Sequence, residues 1–367
     1  MPTMRNVILD DLTSDECILE VIPSWTVENA DQHLWLHSEK GDSIVFSNTQ
    51  DEYHILADAS SDGLIGRRVS ASTGKRYRTS ALANLWELGL IRVHDGSPRE
   101  AADTETRFVW QDEYFKAFAS STNSVQRMNT RLQNSTVCIV GAGAAGSLAA
   151  LMLAAAGVGG IRLVDGDRVA RSNLPRQFLY PESSIGQHKA EVLRDILLAQ
   201  HSPVRVEALT SYVNSQEQAL SAASGTEFIL LTADQPRLKI REWIGKASLA
   251  LRTPYLAMAS NWIGPISVPF QSPCYLCQAR TYRSRYADPA SFLQKLTAHP
   301  LPARAAFGPR PALVASFMTS TILHFLTGNS SQEALFESFK VSLDGYTERQ
   351  AYIRYRNCPA CSESTTV

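Results

Sequence analysis

The stretch from Val137 to Lys189 constrains this chain more than any other. Val137–Val140 is a short apolar run that reads as a buried parallel strand. Gly141, Gly143 and Gly146 follow at G-x-G-x-x-G spacing, and the Ala- and Leu-rich run from Ser147 to Ala156 reads as a helix. Ile161–Val164 is the next strand, and Asp165 stands at its end. Strand, glycine turn, helix and strand in this order predict an α/β fold, a Rossmann-like, mostly parallel sheet. The glycines let the backbone approach a phosphate, and the helix N-terminus offers free N–H groups and the positive end of its dipole. Asp165 follows the glycines by about 20 residues, where an acid can hold a ribose hydroxyl.

The glycines alone fit a nicotinamide-binding domain or a turn with no ligand. The following residues change the balance. Arg171-Ser172-Asn173-Leu174-Pro175-Arg176-Gln177 comes soon after the acid, and then Gly186-Gln187-His188-Lys189. Fixed cations at this place suit a triphosphate, whose charge they offset. The pattern D-x-D, from Asp165 and Asp167, then S-N-L-x-R-Q and G-x-x-K resembles the ATP-dependent adenylating enzymes related to ubiquitin activation. That family includes the activators of the molybdopterin and thiamine sulfur carriers and peptide-modifying members. The likeness covers roughly Asn134 to Cys361.

The resemblance implies roles. Gly141, Gly143 and Gly146 shape the phosphate-side backbone, Asp165 of the D-x-D pair with Asp167 holds the ribose, and Asn173, Arg176 and Lys189 contact the triphosphate, with Gln177 supporting that wall. Asp234 follows the apolar strand Phe228–Leu231, where open α/β sheets bind ligands, and in the family this acid binds the Mg²⁺ of Mg-ATP. The plain alternative is an N-cap for the helix in QPRLKIREWI. Arg176, Lys189 and Asp234 are thus the candidate catalytic residues.

Two C-x-x-C pairs, Cys274/Cys277 and Cys358/Cys361, form a second constellation. Four thiolates complete a closed tetrahedral Zn²⁺ site, a structural staple with no open position for catalysis. The chain has six cysteines; Cys138 reads as core and Cys17 as part of a strand. Pairs of this kind suggest metal in a reducing cytoplasm rather than disulfides. Ubiquitin-type activators use a nucleophilic cysteine; here none stands outside the zinc pairs in a mobile loop, so adenylation without an enzyme thioester is expected.

The chain has 367 residues, 44% hydrophobic, and a net charge of −1, which suits a soluble protein of about two domains and argues against nucleic acid as a general partner. No apolar run reaches the roughly 18 residues of a membrane span, and the N-terminus lacks the apolar core of a signal peptide. Residues 1–100 read as a small winged-helix-like domain. Asn6–Leu9, Cys17–Val21, His33–His37 and Ser43–Phe46 are strand-like, a helix opens at Ser80, and IRVHD is a strand. It loosely resembles leader-peptide recognition domains, which add a peptide as a strand to a sheet edge; a structural or dimerisation arm is the alternative. Residues 101–133 form a connector, and 134–367 form the adenylation domain with its zinc-stapled end. In the connector, Arg107 matches the first arginine of the family's R-Y-x-R block, but Trp110 replaces the second, which in the family reaches into the partner subunit's ATP site; Arg127 or Arg131 is a candidate to take its place.

Beyond Lys189, EVLRDILLAQHSP reads as a helix, and Val204–Leu209, Tyr255–Ala259, Gly264–Pro269, Lys340–Leu343 and Ala351–Tyr355 read as strands. Ala312–Leu326 reads as a buried helix with His324 in the core. Arg280, Arg283, Arg285, Arg304 and Arg310, with Tyr282 and Tyr286, lie in the family's crossover segment and are expected to line a channel for an acidic peptide. The whole pattern predicts a homodimeric enzyme that adenylates a carboxylate, a Glu side chain, of a ribosomally made precursor peptide, as in the microcin C7 and pantocin A branch. A microcin-type peptide C-terminus, the Gly-Gly end of a sulfur carrier, and an inactive binding module are the alternatives.

Overall fold

The structure, a computed structural model, describes residues 18–21, 25–30, 32–38, 43–60, 68–70, 80–81, 84–85, 90–94, 107–116, 118–119, 123–201, 203–236, 238–259, 261–283, 307–342 and 347–362. The chain divides into two compact units, Met1–Arg127 and Met128–Val367. The first unit contains strands β1 (Ile18–Val21), β2 (Trp25–Ala30), β3 (His33–Ser38) and β4 (Ser43–Ser47), helix α1 (Asp51–Ser60), strands β5 (Arg68–Ser70) and β6 (Ile91–His94), and helix α2 (Val109–Lys116). Strand β1 pairs antiparallel with β5 and β6, while β2, β3 and β4 form a separate antiparallel meander. The period-2 rule is visible in it: the cross-strand pair Leu34 and Phe46 is buried, and the neighbouring pair Trp35 and Val45 is exposed. Ser80, Ala81, Asn84 and Leu85 are helical; Asn6–Leu9, Cys17 and the rest of 82–89 lie outside the described residues.

In the second unit, helix α3 (Val125–Asn134) leads into β7 (Thr136–Val140), α4 (Ala144–Ala155), β8 (Gly160–Val164), α5 (Lys189–Gln200), β9 (Arg205–Leu209), α6 (Gln216–Ala223), β10 (Phe228–Leu231), α7 (Lys239–Leu251) and β11 (Tyr255–Ala259). Strands β12 (Trp262–Ile263), β13 (Glu337–Val341) and β14 (Thr347–Ala351) complete the sheet, with helices α8 (Tyr275–Arg283), α9 (Pro309–Leu326) and α10 (Gln332–Phe336) between β12 and β13. The sheet order is β14-β13-β12-β11-β10-β7-β8-β9, parallel from β11 to β9 and antiparallel from β12 to β14. Strands β7 and β10 are apolar on both faces because helices cover both. Cys138, Val140, Ile229 and Leu231 face α6 and α7 through Ala219, Ala222, Ile240 and Ile244. On the alternate residues, the Phe228 ring meets Phe325 of α9 with centroids 5.4 Å apart. Helix α9 packs along α4, whose small residues permit a close approach.

Three expectations shift. Gly264–Pro269 is not a strand: Gly264 holds φ +85°, the Gly264–Pro265 peptide is cis, and neither proline has an N–H for a ladder, so pairing shrinks to a bridge between Tyr255 and Ser267. The closing hairpin lies earlier than Lys340–Leu343 and Ala351–Tyr355, pairing Glu337 with Ala351 through Val341 with Thr347. Past Ala351 the chain turns to the cysteine cluster, where the Tyr355 N–H meets Cys277 Sγ at 3.5 Å. Helix α7 starts at Lys239 with Leu238 at its N-cap, so Asp234 does not cap it. Among the described residues, no helix is long and apolar enough to cross a membrane.

Phe228 is fully buried where the central strand meets α9. Phe228→Ala leaves a cavity there and is expected to lower unfolding free energy by about 3–5 kcal/mol, read from a guanidinium titration followed by circular dichroism.

Candidate functional site

The sheet has its topological switch point between β7 and β10. The chain proceeds from β7 outward through β8 to β9, whereas β10 and β11 extend the other way. Crevices at the carboxyl ends of such strands bind ligands, and the glycine turn after β7 and Asp234 after β10 both lie there. The turn is built by close approaches. Gly141 holds φ +106°, and a Cβ there would lie 2.6 Å from the Ala233 nitrogen and 2.9 Å from Thr232 Oγ1. A Cβ at Gly146 would collide with the Gly141 carbonyl oxygen. Thr232 was not singled out by the sequence reading, yet its hydroxyl donates to the Gly141 carbonyl at 2.6 Å.

Gly143 is different. Its φ of −74° suits any residue, and a Cβ there would find only Gln177 Nε2, at 3.9 Å. Protein packing therefore does not require this glycine; open space in front of it does suit the approach of a ligand. Gln177 flanks the same space with a buried side chain whose Oε1 has no hydrogen-bond partner. An orphaned buried polar atom beside an open helix N-terminus fits a polar ligand.

The acids past β8 are fixed by backbone groups. Asp165 accepts from the Ala142 N–H at 2.6 Å and from the Asp167 N–H at 2.8 Å. Burial raises its carboxyl above the usual carboxylate range against these bonds. Each oxygen keeps a further lone pair for a ribose hydroxyl. Asp167 pairs with Lys189 Nζ at 2.8 Å and accepts from the Tyr212 hydroxyl at 2.8 Å. Burial works against it, but these two partners hold its carboxyl below the ordinary value. Lys189 is itself buried at the start of α5. Tyr212 gave no signal in the sequence, and its ring packs over Gly166.

Asn173 and Gln177 are buried on the wall beside the turn, and Arg176 lies between them. Asn173 Oδ1 accepts from the Ala170 N–H at 3.0 Å, and Arg176 donates to the Ser172 carbonyl at 2.6 Å. The wall ends in Tyr180, also unsignalled, whose hydroxyl donates to the Ala142 carbonyl at 2.6 Å. Asp234 is exposed, without a hydrogen-bond partner among the described residues. The sequence motifs therefore converge on one crevice: glycine turn, paired acids, polar wall and a free carboxylate.

The basic segment is only partly described. Arg280 stacks over the Tyr355 ring at 4.1 Å beside the cysteine cluster, and Arg283 and Arg310 are exposed. Arg285, Arg304 and Tyr286 lie outside the described residues, as does the side chain of Tyr282. Trp110 is exposed on α2, and Arg131 donates to the Thr327 carbonyl at 2.9 Å.

Cys274, Cys277, Cys358 and Cys361 are buried together, their sulfurs all within 4.8 Å of one another. Cys274 and Cys358 are 3.6 Å apart and Cys277 and Cys361 3.7 Å. A tetrahedral site with metal–sulfur bonds of about 2.3 Å has sulfur edges of about 3.8 Å, so the cluster has the size of a four-thiolate metal site. Cys138 stands apart, buried in β7 and donating to the Ala222 carbonyl, with burial pushing its thiol up to about 12.

Residues 120–363 match the ThiF family. The chain is 31% identical over 242 residues to the sulfur carrier protein adenylyltransferase of Thermus thermophilus, covering 64% of this chain and 85% of that protein. Against the adenylyltransferase and sulfurtransferase MOCS3 of Drosophila willistoni, it spans 63% of the relative's length. Among solved structures, Escherichia coli MccB with AMPCPP and MccA superposes with a TM-score of 0.71 at 20% identity, over 94% of this chain and 99% of that one. PaaA superposes with a TM-score of 0.62 at 21% identity, over 91% and 100%. These likenesses show a shared Rossmann-type fold.

The two glycines separate packing from ligand space. Gly146→Ala is expected to lose several kcal/mol or fail to fold, because backbone atoms block the new methyl. Gly143→Ala should melt within about 2 °C of the parent, since a ΔΔG below ~0.5 kcal/mol moves Tm little. Calorimetry on both variants checks this contrast.

Proposed function

Because this chain belongs to the ThiF family, we propose that it is an ATP-dependent adenylating enzyme acting on a carboxylate of a ribosomally made precursor peptide. The observation that carries the nucleotide reading is the open space at Gly143, flanked by the buried Gln177 side chain, whose Oε1 has no hydrogen-bond partner among the described residues. The peptide reading is supported by the fold shared with MccB over 94% of the chain, far beyond the residues of the family match. MccB itself is solved together with MccA and a nucleotide analogue, AMPCPP.

A carboxylate oxygen of the peptide, a Glu side chain, attacks the α-phosphorus of ATP. The bond to the bridging oxygen breaks, pyrophosphate leaves with the electron pair, and an acyl-adenylate remains for capture by a nucleophile that expels AMP. Asp165 holds the ribose and Asp167 keeps Lys189 in place. Asn173, Arg176 and Lys189 offset phosphate charge, while Gly141, Gly143, Gly146 and Gln177 shape the wall. Asp234 holds Mg²⁺, which supplies charge neutralisation to the triphosphate. Catalysis is then positioning and electrostatics. Adenylation without an enzyme thioester is supported by Cys138, the cysteine outside the zinc pairs among the described residues, which is buried and protonated at neutral pH. Residues 1–100 bind the leader of the peptide, 101–133 connect, 134–367 adenylate, and the enzyme works as a homodimer. The Gly-Gly terminus of a sulfur carrier is the second reading, favoured by the named activity of the Thermus relative.

The test is release of pyrophosphate from ATP on adding candidate peptide or carrier. Peptide-dependent release supports the first reading, and release only with carrier replaces it with the second. Arg176→Ala is expected to reduce the rate about 10²–10³-fold, typical for one preorganised contact, and Asp234→Ala at least as much. Normal release by Arg176→Ala would remove this phosphate-site assignment.

The cysteine cluster holds structural zinc in this reading, through Cys274, Cys277, Cys358 and Cys361. Four thiolates close the coordination shell and tie the chain's C-terminal pair to α8. Plasma emission spectrometry should find one zinc per chain, and Cys358→Ser should lose it and lower the melting temperature. Protein purified without chelator and free of zinc would refute the assignment.

A further inference from the structure

The central residue of the glycine turn, Ala142, is held from both sides. The Ala142 N–H donates to Asp165 Oδ2 at 2.6 Å, and the Ala142 carbonyl accepts from the Tyr180 hydroxyl at 2.6 Å. Tyr180 is buried, and that burial raises its phenol well above the ordinary value, so it stays a donor. The Ala142 carbonyl and the Gly143 N–H belong to one planar trans peptide, in which they point in opposite directions. Anchoring the carbonyl on Tyr180 therefore aims the Gly143 N–H away from the wall. Gly143 is the N-cap of α4, and among the described residues no acceptor takes its N–H. The open space in front of Gly143 is edged by the buried Gln177 side chain through its Nε2, and the Oε1 of that side chain has no partner among the described residues, which adds an independent sign of a ligand.

Resting on the adenylation reading, we propose that Tyr180 is a positioning residue that aims the Gly143 N–H at a nucleotide phosphate. Its backbone N–H bonds to the Gln177 carbonyl at 3.2 Å, which ties the Arg176–Gln177 wall to the turn. Asp165 grips the other end of the same dipeptide, so one short backbone segment carries both ribose and phosphate recognition. A hydroxyl is needed for this, not merely an aromatic ring.

Tyr180→Phe removes only that oxygen. The experiment is calorimetric titration of the full chain, parent and variant, with ATP, AMP and adenosine, beside a thermal melt. The variant is expected to bind ATP and AMP about 5–10-fold more weakly, the size of one hydrogen bond's net worth, with adenosine affinity within twofold of the parent and a similar melt. Unchanged ATP and AMP affinity overturns the proposal. Equal weakening for all three ligands, or a melt lowered by more than about 10 °C, assigns the hydroxyl to the fold and also overturns it. A parent chain that binds no nucleotide sinks both this inference and the adenylation reading. A parent that binds ATP and releases pyrophosphate, with an unselective variant, sinks this inference alone.

Discussion

Helix α4 begins almost on top of the strand that precedes it, and this contact organises the second unit. The Gly146 backbone lies where any side chain would strike the Gly141 carbonyl oxygen. The carbonyl is further held by the Thr232 hydroxyl from the end of β10. Strand β7, helix α4 and strand β10 are thereby locked at one point, which is also the switch point of the sheet. Everything proposed for nucleotide binding opens from it: the free N–H at Gly143, the acids after β8 and the carboxylate after β10. The approach has a steric origin, so it holds whether or not a ligand is present.

Around this point the ionisable groups are committed to backbone N–H groups or to one another. Asp165 spends a lone pair of each oxygen on an N–H, and Asp167 divides its oxygens between Lys189 and Tyr212. Lys189 is a buried cation whose direct ion-pair partner is Asp167, so removing Asp167 would leave it only the more distant Asp165 as a counter-charge. Preorganisation of this kind costs stability in isolation and is useful where charge develops during a reaction. Asp234, by contrast, is exposed and uncommitted, which suits a metal ligand and not a structural acid.

The cysteine cluster solves a different problem. The antiparallel part of the sheet ends in a hairpin at one edge, and beyond Ala351 the chain leaves the ladder. The four sulfurs gather it against α8, with the Arg354 guanidinium donating to the Cys361 carbonyl at 2.9 Å. Beyond β14 the β-branched and aromatic residues Tyr352, Ile353 and Tyr355 therefore run toward the cluster and not along the sheet.

Local signals were legible in the sequence wherever one short segment carries the physics. The strand–glycine–helix unit and the paired C-x-x-C motifs declare themselves through spacing, because strand and helix periods are local properties, and the D-x-D acids and the R-Q wall declare themselves through the family resemblance. The apolar runs Phe228–Leu231 and Tyr255–Ala259 are strands with the bounds that composition suggests. Residues that act across the fold left no such mark. Tyr180, Tyr212 and Thr232 are ordinary residues in sequence, and only the packing of β7, β8 and β10 brings their hydroxyls to particular backbone and carboxylate atoms. Likewise, Gly141 and Gly146 are glycines for steric reasons while Gly143 faces open space, a distinction the motif cannot express. The sequence by itself determined which segments fold and which chemistry they bring to one crevice. The tertiary structure alone decided which donors are already used and which remain free, because hydrogen-bond satisfaction depends on neighbours far apart along the chain.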